Sequence, residues 1–227
     1  MSEENHESGV IGKESSGEQP VPDAKESKSS TIASSDRDPV AWAAWAVFMC
    51  VGGLLVFSFA WSLLPAMEAQ AKAACRPLSP VIHETPQLAP DLELQDLQGN
   101  KRKLSDFRGR MVVLNFWATW CEPCITEWPD LDKLGQRLAG REDVVVLAVS
   151  VDESTELVAQ FLKQMSLEAT EVQVLWDPTK NSYKTFGSTK LPDTYFVDVE
   201  GNVTSAFVNA RRWGRPEAFR CVDASAR

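Results

Sequence analysis

Met111-Val-Val-Leu-Asn-Phe-Trp-Ala-Thr-Trp-Cys-Glu-Pro-Cys124 is the stretch on which the fold turns. Its first half, Met111 to Trp117, reads as a continuous apolar strand suited to the centre of a sheet covered on both faces. Beyond the cysteines, Leu131, Leu134 and Leu138 fall at helical spacing, so both thiols sit where a strand hands over to a helix. A helix N-terminus offers free N–H groups and about half a positive charge, which favour the thiolate, the attacking species in disulfide exchange. Two intervening residues place the second thiol one turn on, close enough to close or resolve a disulfide. Cys121 is therefore read as the exposed nucleophile and Cys124 as the more buried resolving thiol, the two forming a redox disulfide.

Other uses of a Cys-X-X-Cys pair fit less well. A zinc site needs two further ligands, but the histidines are His6 and His83, both outside the motif's domain, and Cys50, Cys75 and Cys221 are scattered singly, so no metal site is expected. A purely structural bridge between adjacent turns of one helix closes a loop too small to offer much entropy.

The run Val112 to Pro129, with its Trp-Cys-Glu-Pro-Cys core, resembles the thioredoxin superfamily, and most closely its TlpA/ResA-like branch of membrane-anchored thiol-disulfide oxidoreductases. Pro129 falls where such proteins kink the active-site helix, and Leu191-Pro192 is similar to the cis-proline loop that faces the cysteines. The resemblance spans about residues 84 to 220 and implies substrate contacts at Trp120, Pro123, Leu191 and Pro192, with Trp120 as an apolar lip. Asp193 departs from the small or hydroxyl residue more usual after that proline. Asn115 stands where thioredoxin carries a buried aspartate that moves the resolving thiol's proton, and an amide cannot take that proton. Glu127, three residues after Cys124 and on the same helix face, matches a glutamate of the TlpA/ResA-like proteins and is read as the catalytic replacement; a solvated helix carboxylate is the plainer reading.

The flanks set the context. Residues 1–38 hold nine acids (Glu3, Glu4, Glu7, Glu14, Glu18, Asp23, Glu26, Asp36, Asp38) against four bases (Lys13, Lys25, Lys28, Arg37), and serine and glycine dominate most of the rest. Such a tail buries too little apolar surface to offset its ordering entropy and reads as disordered. Val40 to Leu64 then runs 25 positions without a charge, with Trp42, Trp45 and Trp61 near its ends, so residues 39–65 read as one transmembrane helix. Ala69-Gln-Ala71 would serve a cleaved signal peptide, but the long acidic segment in front and the length of the apolar run argue against one. Residues 66–90, with Pro65, Pro77, Pro80, Pro86 and Pro90 in or beside them, read as a stiffened spacer.

Residues 91–227 read as the thioredoxin-like domain, an α/β sandwich with a central mixed sheet. An N-terminal hairpin turns at Gln98-Gly-Asn100. The helix after the motif stops at Gly140, and a strand at Val144 to Val151 follows. Ser154 to Met165 reads as a helix with Leu157, Phe161 and Met165 on one stripe, and Val172 to Trp176 as a short strand. This strand-helix addition resembles the insertion of the TlpA/ResA-like branch. Asp177-Pro178 reads as opening a short helix, Thr194 to Val208 as a hairpin turning at Glu200-Gly-Asn202, and the last helix as starting near Pro216. Cys75 and Cys221 are free to pair in an oxidising compartment, but the sequence does not bring them together.

The expected function is reduction of disulfides in exported proteins. The resemblance implies apocytochrome c as substrate class, a membrane electron donor of the CcdA or DsbD type, one helix in the cytoplasmic membrane and a periplasmic catalytic domain. A peroxiredoxin-like peroxidase shares the Leu-Ser-Asp-Phe-Arg-Gly109 approach, but the chain lacks the proline and correctly spaced threonine that surround a peroxidatic cysteine. A copper-binding metallochaperone would use the same thiols as soft ligands. No nucleic-acid partner is expected, and no cofactor is implied.

Overall fold

The computed structural model describes residues 39–226, so the acidic tail read over 1–38 lies outside the described residues. The chain divides into two units, Met1–Cys50 and Val51–Arg227. One helix, α1 (Pro39–Cys75), contains a stretch, Trp42–Ser62, that is long and apolar enough to cross a membrane, with none of it buried. The expected end at residue 65 is overrun: Ala66 to Ala74 is rich in strong helix formers, and the helix continues to Cys75.

The second unit is built on one eight-stranded mixed sheet in the order β1-β8-β7-β4-β5-β6-β2-β3. The strands are β1 (Val81–Leu88), β2 (Glu93–Asp96), β3 (Lys101–Lys103), β4 (Met111–Trp117), β5 (Val144–Ser150), β6 (Gln173–Trp176), β7 (Asp193–Val197) and β8 (Asn202–Val208). β4, β5 and β6 run parallel, while β7 lies antiparallel to β4 and β8 antiparallel to β7. The hairpin β2–β3 joins through β2 to β6, so the strand-helix insertion extends the sheet beyond β5. Helices α2 (Glu122–Leu138), α3 (Thr155–Gln164), α4 (Ser182–Thr185) and α5 (Pro216–Ser225) complete the unit.

Side chains of a strand alternate between the two faces of a sheet, and β4 shows what that does to the core. Met111, Val113 and Trp117 enter one apolar cluster with Leu131, Leu134 and Leu138 of α2 and Cys221 and Val222 of α5. Val112, Leu114 and Phe116 enter the other, under Leu104, Phe107 and Tyr195. Asn115 has the parity of the first set, so its amide points toward α2 rather than toward the opposite layer. A polar residue in mid-strand is thereby delivered to the layer that holds the cysteines.

Several sequence expectations are corrected. The stretch read as a spacer holds the end of α1, a 3-10 turn at Arg76–Leu78 and strand β1. Its prolines signalled a linker, but β1 is an edge strand whose register on β8 shifts between Ile82 and Gln87, and edges and irregularities tolerate proline. On α3 the buried residues are Val158, Phe161 and Leu162, while Leu157 and Met165 are exposed. Adjacent helical residues differ by about 100°, so a face centred between Phe161 and Val158 turns Leu157 to the edge, and Met165 is already the C-cap. Asp177-Pro178 opens a turn rather than a helix: the Asp177 carboxylate accepts the N–H groups of Thr179 and Ser182, and α4 starts only at Ser182.

Cys75 and Cys221 form a disulfide that fastens the end of α1 to α5 across 146 residues of sequence. Both sulfur-bearing residues are buried. Cross-linking so long a loop constrains the unfolded chain strongly. The double variant Cys75→Ala/Cys221→Ala is expected to lose about 2 to 5 kcal/mol of stability, read as a lower urea midpoint under non-reducing conditions.

Candidate active site

β4 ends at Trp117 and the chain turns through Ala118, Thr119 and Trp120 into α2. Asp152, fully buried just past β5, holds this turn: its carboxylate accepts the Thr119 N–H at 3.0 and 3.1 Å and the Thr119 hydroxyl at 2.7 Å. The Ser150 hydroxyl donates to the same carboxylate at 2.7 Å. Its main-chain carbonyl in turn accepts the Trp176 indole N–H at 2.8 Å, tying the motif's approach to the insertion. Trp120, expected beside the nucleophile, projects outward at 68% exposure and is no part of the core.

Cys121 is the N-cap of α2, and its sulfur accepts the N–H of Cys124 at 3.3 Å. Cys121 and Cys124 are joined as a disulfide with Cα atoms 5.2 Å apart. The expected contrast between an exposed and a buried thiol is smaller than read: Cys121 is 6% and Cys124 1% exposed. Cys121 remains the more accessible of two buried sulfur-bearing residues, because the helix cap covers the first while the core covers the second. Pro123 occupies the first turn of α2 and is exposed, and Pro129 is accommodated within the helix.

One turn further along α2 lies Glu127, 4% exposed, which overturns the reading of a solvated carboxylate. Its Oε1 accepts the main-chain N–H of Arg211 at 2.8 Å and the indole N–H of Trp213 at 2.7 Å. Its Oε2 accepts the Asn115 amide at 3.2 Å, and the same amide nitrogen donates to the Thr194 hydroxyl at 2.9 Å. Burial raises the carboxyl from its ordinary 4.5 to about 7, against the pull of the Arg211, Trp213 and Asn115 donors and the Arg211 charge. A buried acid with that titration range can hold or release a proton near neutrality.

The Leu191-Pro192 bond is cis, as the resemblance implies. β7 pairs with β4 as far as Phe116 opposite Asp193, so the same register carried one step further sets Pro192 beside Trp117, at the base of the motif. Leu191 is partly buried and Pro192 buried. Asp193 turns inward: it accepts the Ser188 hydroxyl at 2.7 Å and the Asn209 N–H at 2.9 Å, bracing the loop.

A sequence profile described as the AhpC/TSA family matches residues 86–206. The chain belongs to the AhpC/TSA family. Among its relatives, "Thiol-disulfide oxidoreductase ResA" of Bacillus thuringiensis subsp. konkukian is 36% identical over 115 residues, which cover 51% of this chain and 64% of that one. The Bacillus anthracis protein of the same name is 32% identical over 131 residues, 58% of this chain and 73% of the relative. Among solved structures, a "putative Thiol:disulfide interchange protein DsbE" from Chlorobium tepidum is similar at a TM-score of 0.55 and 28% identity, covering 63% of this chain and 98% of that one. The mixed sheet and its helices are a thioredoxin-like fold.

Trp213, the Arg211 N–H and Asp152 escaped the sequence reading. Trp213 stands in Arg-Arg-Trp-Gly-Arg215, a segment without periodicity, and a main-chain donor has no sequence signature at all. Asp152 follows a strand in a place where an acid ordinarily reads as a surface turn.

The Glu127 carboxyl ties stability to pH. The unfolded chain gives up its proton near 4.5 and the folded chain near 7, so between these values the folded state holds more protons and stability falls as pH rises. About 3 kcal/mol is expected to be lost across that interval through this group, and the Glu127→Gln variant is expected to lack this part of the decline. Urea denaturation of both proteins at successive pH values checks it.

Proposed function

We propose that this chain is a membrane-tethered protein-disulfide reductase whose Cys121–Cys124 pair cycles between dithiol and disulfide. The observation that carries the reading is the pair at the N-terminus of α2 with the buried Glu127 one turn behind Cys124. In the reduced protein the Cys121 thiolate attacks one sulfur of a substrate disulfide. That bond breaks, a substrate thiolate leaves and takes up a proton, and a mixed disulfide joins Cys121 to the substrate. Cys124 gives its proton to the Glu127 carboxylate and attacks the Cys121 sulfur, releasing the second substrate thiolate. Two electrons have then passed to the substrate and the protein holds its own disulfide. A dithiol donor restores the pair by the same exchange in reverse.

Trp120 and the Leu191-Pro192 loop supply the surface on which the substrate rests, with Pro123 at the helix start. Apocytochrome c is the favoured substrate class and a CcdA- or DsbD-type membrane protein the donor. Trp42–Ser62 crosses the cytoplasmic membrane, with the tail inside and the catalytic unit in the periplasm. A Cys-X-X-Cys unit in the cytoplasm would be reduced by soluble thiol pools without a tether, whereas one outside must receive electrons across the bilayer.

In cells, Cys124→Ser is expected to accumulate mixed disulfides and Cys121→Ser to trap none, read by non-reducing electrophoresis and identification of the captured protein. The reverse pattern would invert the two roles. Alkaline phosphatase fused after Arg227 is expected to be active, since that enzyme works only once exported; an inactive fusion puts the domain in the cytoplasm. Tight copper binding by the reduced protein without insulin reduction, or rapid consumption of peroxide, would favour the metallochaperone or the peroxidase instead.

A further inference from the structure

The segment between β8 and α5 contributes nothing to disulfide chemistry by residue type, yet it makes the two shortest contacts to Glu127. Arg211 N–H and Trp213 Nε1–H both land on Oε1, at 2.8 and 2.7 Å, while Oε2 has only the Asn115 amide at 3.2 Å. A carboxylate oxygen carries two lone pairs, so Oε1 is filled and Oε2 keeps one pair open. The Asn115 nitrogen is also shared with Thr194, which leaves Oε2 the weaker-held oxygen.

Both donors on Oε1 are themselves fixed. Trp213 is fully buried, edge-on to Phe207 with ring centroids 5.2 Å apart and beside Phe196 at 6.1 Å. The Arg211 guanidinium donates to the carbonyls of Leu78, Asn209 and Ala210 at 2.7, 3.1 and 3.0 Å, which holds its main chain in place. Leu78 follows closely on the Cys75–Cys221 bridge, so the clamp is anchored to the end of α1 as well as to α5. Among the described residues, Arg211 is the charged group acting on Glu127, β4 and β7 offer the uncharged Asn115 and, behind it, Thr194, and Cys124 stands three residues before Glu127 on α2.

We propose that Trp213 is a positioning residue for the redox reaction: with the Arg211 N–H it saturates Oε1 of Glu127, so that the Cys124 proton is exchanged through Oε2. The inference rests on the proton-accepting role given to Glu127 above. Without the indole N–H the carboxylate loses a donor that favours its charged form, and Oε1 is left with the Arg211 N–H alone, so that it is no longer saturated.

The test uses the full chain in detergent, reduced, with oxidised glutathione as the disulfide probe. The rate of exchange is measured against pH for the wild type, Trp213→Phe, Glu127→Gln and the double variant. Phenylalanine keeps a ring against Phe207 and Phe196 and removes the donor together with part of the indole's volume, which the double variant controls for. The wild type is expected to show an inflexion near neutral pH that Glu127→Gln lacks, and Trp213→Phe is expected to move it upward by about one to two pH units. The double variant is expected to match Glu127→Gln. An unmoved inflexion in Trp213→Phe, with the inflexion still lost in Glu127→Gln, overturns the role of Trp213 and leaves that of Glu127 standing. An inflexion that survives Glu127→Gln overturns both, and a double variant that departs from Glu127→Gln makes the tryptophan merely structural. Should Trp213→Phe fail to fold, the Trp213 indole N–H resonance of the wild type decides: a shift titrating near neutrality and absent in Glu127→Gln supports the clamp, and a resonance flat from pH 5 to 9 overturns it.

Discussion

Taking a carboxyl group out of water costs several kcal/mol unless the protein returns hydrogen bonds, and Glu127 is where this chain meets that cost. Three N–H donors answer it: one from the central strand β4 and two from the segment before α5. Asn115 lies 12 residues before Glu127 and the other two donors 84 and 86 residues after it, so the carboxylate is held only when β4, α2 and the β8–α5 connection have all assembled. Desolvation still wins over the donors, which is why the group titrates near neutrality instead of behaving as a surface glutamate. Such a balance suits proton exchange, because a firmly ionised acid would not release a proton after accepting one, and a permanently neutral acid would not accept it.

A second buried acid shows the opposite use of the same physics. Asp152 is enclosed as completely, but its side-chain partners are the neighbouring Ser150 hydroxyl and the hydroxyl and main-chain N–H of Thr119, in the turn that delivers Cys121. It is spent on geometry. Together the two acids bracket the motif, one fixing the entry to the cysteines and one facing their far side along α2.

What could be read from the sequence followed a local pattern. The unbroken apolar run of β4, the leucine spacing of α2, the glycine at Gly140 and the turn at Glu200-Gly-Asn202 each announce their element, because period, length and punctuation are short-range properties. Glu127 was legible for the same reason: three residues on a helix set a face. What failed needed partners. The pairing of β1 is decided by β8, more than a hundred residues away, and its prolines pointed toward a linker. The α3 stripe was misplaced by about one residue, since an apolar residue at an element's end looks the same whether it faces the core or the solvent. Trp213 carries no local mark of its role, because an indole donor is identified only by the acceptor it meets.

The two disulfides differ in how an incoming thiol can approach them. The first caps a helix beside a protruding tryptophan, whereas the second lies between α1 and α5 with its cysteines 3% and 0% exposed. Residue burial alone, 6% and 1% against 3% and 0%, does not separate the two bonds; their places in the fold do. Four of the five cysteines are thereby paired, one pair at the first turn of α2 and the other between α1 and α5. One bridge rivets two helices that are 146 residues apart at the bonded cysteines, whereas the other spans a single helical turn.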